Sequence, residues 1–352
     1  MNRFRLPEHL KVEAGIFNDI PDAMEDVFPG LHRKKAILVT EENLKNIFEK
    51  IIAEIRRDFE SCELYLISSA DYDSSAALAK YITMQDIAVV IGFGGGTVLD
   101  LAKFAAFVSK AKYISLPTTL SNDSLASPVA VLGTTGKARK SFKCTIPDAI
   151  LVDTDVIKSA PVRQLLSGIG DTISKDTALY DWKLAGEKAG DKVDDFAYMM
   201  SRMAYDSLRH STDAELKSDD FLTRLTRALV MGGLAMEIAG SSRPSSGSEH
   251  LFCHALEEYF YEEVNVPHGI AVAMGSVGAS VFQGRKPDEI LELIRAYGIP
   301  AKPSENKVTK DIFIGAWQRA ASTRADRYTV LNEADLGSEA LERIYELMEE
   351  RL

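Results

Sequence analysis

The sequence predicts a two-domain protein in which an α/β domain with a doubly wound parallel sheet is followed by an all-α domain. The chain has 352 residues, more than a single hydrophobic core usually organises. Between 35 and 112, short apolar runs alternate with amphipathic segments, a pattern typical of parallel strands joined by helical crossovers. Beyond 161 the periodicity is almost entirely helical. We therefore predict domains at 1–157 and 158–352.

The composition argues against several classes of protein. A hydrophobic content of 46% with 26% charged residues is ordinary for a globular enzyme. A formal charge of −11 repels nucleic-acid backbones. No apolar run reaches the roughly 18 residues that span a bilayer, and the N-terminus lacks the apolar core of a signal peptide. Three widely spaced cysteines indicate neither disulfides nor a thiolate zinc site. We expect a cytoplasmic protein with no nucleic-acid partner and no membrane insertion.

Apolar runs and turn residues predict the strands and helices of the first domain. The predicted strands are 36–40, 63–67, 87–91, 113–117 and 149–153, and the predicted helices are 42–59, 74–81 and a helix that ends near 108. Two further extended runs, 129–132 and 141–144, flank a turn at 133–136 and predict a β-hairpin.

A run of glycines separates the third of these strands from its helix. Gly94, Gly95 and Gly96 have no Cβ atoms, so their backbone can approach a diphosphate at the positive end of the helix that follows. The spacing is not GxGxxG, and such a cluster also occurs in ordinary tight turns. The next strand ends in Thr118 to Ser121, small hydroxyls that would face the same crevice. Together these segments predict a Rossmann-like dinucleotide-binding domain.

The second domain reads as a succession of helices. They are predicted at 161–186, 190–211, 217–240, 248–263, 268–283, 286–296, 309–321 and 336–350. Asp171 follows glycines near the beginning of this domain, where a carboxylate also suits a helix N-terminus and needs no chemical role.

Half of the histidines in the chain lie between 250 and 268. His250 and His254 are one turn apart on one helix face, and His268 follows a helix-interrupting proline. A single histidine is more often a surface or packing residue, but three together favour a site. Asp171 with His250 and His268 would be a mixed carboxylate and imidazole set with a position left open. Such a set is typical of a catalytic divalent metal, usually zinc.

The chain resembles the iron- or zinc-dependent polyol dehydrogenase superfamily, which includes glycerol dehydrogenase and 3-dehydroquinate synthase. The resemblance rests on the glycine run with Asp100 and Lys103, on Asp171 and on the later histidines. A narrower resemblance, to the sn-glycerol-1-phosphate dehydrogenase family, is carried by four segments that together reach across almost the whole chain. They are 117–128, 168–185, 242–250 and 327–331.

The resemblance implies a dehydroquinate synthase-like architecture and a set of site residues. It implies one Zn²⁺ per subunit on Asp171, His250 and His268; substrate contacts from Asp123, Asp171 and His254; catalytic roles for Asp171 and His254; and cofactor contacts from Gly94, Gly95, Gly96, Thr97, Val98, Thr118, Thr119, Leu120, Ser121 and Ser127. The implied reaction is the reversible NAD(P)-dependent reduction of dihydroxyacetone phosphate to sn-glycerol 1-phosphate, which supplies the backbone of archaeal-type ether phospholipids. We expect a homo-oligomer with its active site between the two domains.

Glu41 departs from the pattern of the family, which often has glycine after the first strand. A carboxylate there would accept a hydrogen bond from the ribose 2′-hydroxyl of NAD and repel the 2′-phosphate of NADP. We therefore predict a preference for NAD. The alternative is that Glu41 is only an acidic residue at the beginning of a helix.

Three other functions compete with this interpretation. A polyol dehydrogenase such as one for free glycerol needs the same metal and dinucleotide but no phosphate site. A dehydroquinate synthase-type lyase would reduce NAD only transiently. A non-catalytic metal protein is disfavoured because the glycine run and the metal set occur together.

Overall fold

The structure, a computed structural model, describes residues 4–18, 20–25, 27–134 and 139–352. It divides into two units. The first contains the chain up to Pro161 together with Leu216–Thr226, and the second contains Val162–Glu215 and Arg227–Leu352. The sequence analysis places the domain boundary slightly earlier, between 157 and 158, and does not anticipate the return of Leu216–Thr226 to the first unit.

The sheet of the first unit has six parallel strands. In chain order the strands of this unit are β1 (His9–Glu13), β2 (Lys35–Glu41), β3 (Ser61–Ile67), β4 (Val89–Gly94), β5 (Lys112–Pro117), β6 (Val129–Gly133), β7 (Arg139–Lys143) and β8 (Ala149–Asp153). The sheet order is β1-β8-β5-β4-β2-β3, and every pair in it is parallel. β6 and β7 form the antiparallel hairpin that the sequence predicts. Its turn falls largely on 135–138, outside the described residues.

Helices cover both faces of this sheet, as a doubly wound fold requires. They are α1 (Ile20–Met24), α2 (Glu42–Ile47), α3 (Glu49–Arg57), α4 (Tyr72–Met84), α5 (Gly96–Ser109) and α6 (Thr154–Ser159). Successive residues of β2 enter different apolar clusters, with Leu38 in one and Val39 in the other, because neighbouring side chains of a strand point to opposite faces. The predicted doubly wound sheet is confirmed.

The short segment at 216–226 is fixed to the end of α6. Lys217 Nζ donates hydrogen bonds to the backbone oxygens of Lys158 and Ala160, at 2.6 and 3.1 Å. The carboxylate of Asp219 pairs with Lys158 Nζ at 2.7 Å and accepts from Thr154 Oγ1 at 2.5 Å. These contacts explain why Leu216–Thr226 belongs with the first unit.

The second unit is built from helices, and no strand occurs within 162–352. They are α7 (Val162–Ile173), α8 (Lys175–Ala189), α9 (Asp195–Arg209), α10 (Asp219–Ala239, which begins in the first unit), α11 (Ser248–Tyr259), α12 (His268–Phe282), α13 (Asp288–Tyr297), α14 (Lys310–Ala320) and α15 (Ser338–Arg351). The core includes Trp317, which stacks on Phe252 at 4.7 Å between ring centroids. Among the described residues, none of the helices combines the length and apolar character needed to cross a bilayer.

Candidate active site

Asp171, His250 and His268 converge within the second unit. Asp171 lies in the last turn of α7, His250 in the first turn of α11, and His268 begins α12. The Asp171 Oδ1 atom is 3.5 Å from His250 Nε2 and 4.0 Å from His268 Nε2. Asp171 and His250 are buried, while His268 is partly accessible. The structure therefore brings together the three residues that the sequence analysis selects as metal ligands.

Two glycines allow the helices that carry these residues to meet. A Cβ atom on Gly269 would lie 1.8 Å from the backbone oxygen of Ser167, and one on Gly170 would lie 2.2 Å from the backbone oxygen of Gly269. Gly269 N also donates to Ser167 Oγ at 3.0 Å. The backbones of α7 and α12 are thus in direct contact beside Asp171 and His268, which only glycine permits.

The three side chains suit a divalent metal. Asp171 Oδ2 is buried without a hydrogen-bond partner in the part of the chain that the structure describes, and the closest cation to it is Lys175 Nζ at 3.8 Å. A bound cation would strongly stabilise a buried carboxylate oxygen that has no hydrogen-bond partner. One carboxylate and two imidazole nitrogens also match the donor set of catalytic zinc sites.

The interpretation of Asp171 as a helix-N-terminal residue is wrong. The predicted helix at 161–186 ends at Ile173 and restarts at Lys175, which leaves Asp171 near the negative end of α7. Burial would raise the pKa of Asp171, but Lys175, His250 and His268 outweigh burial and hold this pKa well below its usual range. The surrounding cations, rather than a helix dipole, keep the carboxylate ionised.

The Nδ1 atom of each of the two imidazoles lies next to the carboxylate of a glutamate. His250 Nδ1 is 2.8 Å from Glu249 Oε1, and His268 Nδ1 is 3.4 Å from Glu257 Oε1. When Nδ1–H donates a hydrogen bond to a carboxylate, the lone pair of the ring is on Nε2, which can then bind a metal. Here both Nε2 atoms face Asp171. Although burial lowers the pKa of each imidazole, Asp171 and then Glu249 raise the pKa of His250, and Cys253 and then Glu257 raise the pKa of His268, so that both lie above the ordinary histidine value.

Neither glutamate is predicted from the sequence, although α11 carries a signal for one of them. His250, Cys253, His254 and Glu257 are spaced three or four residues apart, so they form one stripe on that helix. Glu249 lies off this stripe but is fully buried, and it also accepts from Gly247 N at 2.6 Å.

Cys253 contacts the same imidazole that Glu257 holds. Its Sγ lies 3.4 Å from His268 Nδ1 and 3.7 Å from Glu257 Oε1, so these three residues form a second group of potential ligand atoms. Burial raises the pKa of the Cys253 thiol to about 11, which keeps it protonated near neutral pH. A neutral buried thiol acts here as a packing residue and a weak hydrogen-bonding partner.

His254 lies on the same side of α11 as His250, with ring centroids 6.3 Å apart. Burial, reinforced by His250, His268 and Arg324, lowers the pKa of His254 to about 3. Its imidazole is therefore neutral at pH 7.

In the first unit, the glycine run forms a tight turn between β4 and α5. A Cβ on Gly94 would lie 2.6 Å from the side chain of Val98, and one on Gly96 would lie 2.9 Å from Ser124 Oγ. The N-cap residue of α5 is Gly95, which has no side chain to cap the helix, and the first turn contains Thr97 and Val98. The N–H groups of an uncapped helix end are the usual binding partners of a phosphate.

The turn after β5 lies directly beside this glycine run. Thr118 N donates to Gly94 O at 3.0 Å, and the hydroxyl of Thr118 is buried without a partner among the described residues. Thr119 Oγ1 is 3.5 Å from Ser121 Oγ, and Leu120 is buried between them. Two predicted cofactor segments are thus adjacent at the carboxyl edge of the sheet.

Three more predicted residues lie in the first unit. Ser127 Oγ is 3.3 Å from the buried Lys103 Nζ, which also pairs with Asp100 at 2.9 Å. Asp123 begins a short 3-10 helix, Asp123–Leu125. Glu41 ends β2, next to β4, and is the half-buried N-cap residue of α2 without a capping hydrogen bond. Both interpretations of Glu41 are compatible with this position.

The chain is similar to known proteins along most of its length. The family model described as iron-containing alcohol dehydrogenase matches residues 16–161. A glycerol-1-phosphate dehydrogenase, NAD(P)+, of Sulfolobus acidocaldarius is 33% identical over 96% of this chain and 95% of its own length. The protein of the same name from Sulfurisphaera tokodaii is 34% identical over 96% of this chain and 97% of its own.

Two solved structures share the fold along the full chain. A glycerol dehydrogenase of Schizosaccharomyces pombe superposes with a TM-score of 0.79 at 20% identity, covering 100% of this chain and 91% of its own. A probable glycerol dehydrogenase of Sinorhizobium meliloti gives 0.78 at 19% identity, covering 99% and 98%. At such identities the likeness is evidence for the fold alone.

Proposed function

Because the chain belongs to the glycerol-1-phosphate dehydrogenase family, we propose that it catalyses the reversible NAD(P)-dependent reduction of dihydroxyacetone phosphate to sn-glycerol 1-phosphate. The observation that carries the proposal is the convergence of Asp171, His250 and His268 in a chain that matches these relatives over nearly its whole length. The product would serve as the backbone of ether phospholipids, and a homo-oligomer in the cytoplasm remains our expectation.

We assign the metal to Asp171, His250 and His268 and favour zinc because of this donor set. When bound, a divalent ion supplies Lewis-acid polarisation of the substrate carbonyl. Asp171 contributes the negative charge of the site, and Glu249 and Glu257 fix the tautomers of the two imidazoles.

We assign the cofactor to the two adjacent turns of the first unit. The diphosphate would bind at Gly94, Gly95 and Gly96 and at the first turn of α5, where Thr97 and Val98 lie; further contacts would come from Thr118, Thr119, Leu120, Ser121, Ser127 and Glu41. NAD(P)H supplies the hydride when bound. The glycines hold backbone N–H groups where no side chain can obstruct a phosphate.

His254 is the proposed proton carrier. Its imidazole would relay the proton between the substrate oxygen and water in both directions of the reaction. With Asp123 and Asp171 it is also assigned to substrate contacts.

The experiment compares substrates and metal states. Purified protein with Zn²⁺ should oxidise NADH with dihydroxyacetone phosphate far faster than with dihydroxyacetone, lose activity after chelation and recover it with Zn²⁺. Full activity in metal-free protein would contradict the metal assignment. Equal turnover of both ketones would favour a polyol dehydrogenase, and substrate conversion without net NADH oxidation would favour the lyase.

Two histidine variants separate ligand from proton carrier. His268→Ala should lose zinc, whereas His254→Ala should keep stoichiometric zinc and lose roughly 10²- to 10⁴-fold in kcat. Zinc content is measured by elemental analysis and kcat at saturating substrate. Stoichiometric zinc in both variants would show that the ligand assignment is wrong.

A further inference from the structure

The Arg327 side chain donates hydrogen bonds to uncharged oxygen atoms. Its Nη1 donates to the backbone oxygen and the hydroxyl of Ser246, at 2.8 and 3.0 Å, and its Nη2 donates to Ser242 Oγ at 2.7 Å. No carboxylate of the described residues forms an ion pair with it. A guanidinium has five N–H donors, so Nε–H and one Nη2–H remain for another acceptor.

Arg243, in the same region, differs from Arg327 because it forms an ion pair with a carboxylate. Its Nη2 pairs with Asp191 Oδ2 at 2.5 Å, and its Nη1 donates to the backbone oxygen of Tyr328 at 2.6 Å. Burial, followed by the charges of Arg243 and Arg324, lowers the pKa of Arg327 to about 10, although Glu249 and Asp326 act in the opposite direction. Unlike Arg243, Arg327 forms no ion pair among the described residues.

Arg327 is fixed next to the helix that carries two of the active-site histidines. Ser246, its main partner, lies in the loop that leads into α11. Asp181 then joins the two segments, because its carboxylate accepts from Ser248 N at 2.6 Å and from Val330 N at 3.0 Å.

We propose that Arg327, supported by Arg324, binds the phosphate group of the substrate. Neighbouring guanidinium donors match two phosphate oxygens, and a phosphate would give Arg327 the ion pair that the described residues do not provide. Arg324 contributes from the short 3-10 helix Ala321–Arg324, close enough for its charge to act on His254. The inference rests on the proposed function and assigns the specificity for a phosphorylated ketone to these arginines.

The test uses the zinc-loaded enzyme and the variants Arg327→Gln and Arg327→Lys. In Arg327→Gln, KM for dihydroxyacetone phosphate should rise roughly 10- to 100-fold, while kcat/KM for unphosphorylated dihydroxyacetone stays within about 3-fold of wild type. Arg327→Lys keeps the charge but not the paired donors, so it should lie between wild type and Arg327→Gln. The exposed Arg343→Gln is the control, since its side chain is 79% accessible.

Inorganic phosphate gives a readout that does not depend on turnover. It should raise the thermal midpoint of wild type and inhibit competitively with dihydroxyacetone phosphate, and Arg327→Gln should lose both effects. The inference is overturned if Arg327→Gln keeps the wild-type KM and phosphate response, or if it loses activity toward both ketones equally. A wild-type enzyme that ignores dihydroxyacetone phosphate would instead overturn the proposed function, and the phosphate response would then decide the anion site separately.

Discussion

At the scale of single residues, the second unit concentrates ionised groups in places that water does not reach. Asp171, Lys175 and Glu249 are all buried, and each is partnered by a group of opposite charge or by several hydrogen-bond donors. Isolated ions would be very unfavourable there, so each group depends on the geometry of the others. Removing one charge should therefore change the metal site as a whole.

Glu249→Gln should weaken zinc binding roughly 10- to 100-fold, because a neutral amide holds the His250 tautomer less firmly than a carboxylate does. The affinity can be measured by competition with a chromophoric chelator, with circular dichroism to verify the fold. Glu258→Gln, an exposed position of α11, is the matched control. A folded Glu249→Gln variant with wild-type affinity would remove Glu249 from the metal site.

Glu41 should bias the enzyme toward NADH. Repulsion between its carboxylate and a 2′-phosphate corresponds to about 1 to 2 kcal/mol, or roughly 5- to 30-fold in relative kcat/KM. The ratio of kcat/KM for NADH over NADPH should fall in Glu41→Gly and stay constant in Glu42→Gly, the neighbouring exposed position. An unchanged ratio in both variants would leave Glu41 as only the residue that begins α2.

The sequence predicts the metal-site residues more readily than the residues that support them. Histidine is scarce in this chain, so the grouping of His250 and His268 is visible without a structure. Glutamate is common and usually exposed, and nothing in the sequence shows that Glu249 is buried. The environment of Arg327 likewise depends on Ser242 and Ser246, which are distant in sequence.

At the scale of elements, the crossing of α7 and α12 controls the separation of Asp171 from His268. Gly269→Ala would place a methyl group against the backbone oxygen of Ser167, which has no freedom to rotate away. We expect the free energy of unfolding to fall by roughly 1–3 kcal/mol, with a clear loss of zinc affinity. Denaturant unfolding and chelator competition measure the two effects.

Gly337→Ala is the control for this substitution. Its added methyl group would meet the side chain of Asp335 at 3.0 Å, which is exposed and able to move. If Gly269→Ala behaves like Gly337→Ala in both measurements, the close approach of α7 and α12 does not determine the metal site.

Element type was predictable wherever the hydrophobic pattern was strong. The continuous apolar run of β4 predicts a buried parallel strand, and all six of its residues are buried. β1 is not predicted because it lies at the edge of the sheet, where none of its five residues is buried, and it contains no apolar run. The break between α7 and α8 also escaped prediction, since Ser174 has nearly helical backbone angles and no helix-breaking residue marks the position.

At the scale of the whole molecule, residues far apart in sequence meet at one site of the second unit. The proposed ligands come from α7, α11 and α12, so a bound metal would connect α7 with two helices that are distant from it in sequence. A ligand that binds only the folded state stabilises that state in proportion to the logarithm of its concentration over Kd.

Chelation should therefore lower the thermal midpoint by several degrees and loosen these three helices selectively. Hydrogen exchange should show faster exchange in α7, α11 and α12 after metal removal, while β4 and α4 of the first unit keep their protection. Uniform loss of protection along the whole chain would instead indicate that the metal supports the entire fold.

The contact between Lys175 and Asp171 bears on whether the chain can fold before it binds a metal ion. Lys175 is fully enclosed, and the missing side chain of Gly232 leaves room for it, since a Cβ there would lie 2.6 Å from Lys175 Cε. Its ammonium group lies 3.8 Å from Asp171 Oδ2, so the chain itself supplies a salt-bridge partner for this carboxylate. We therefore expect the metal-free polypeptide to fold first and to acquire its ion afterwards.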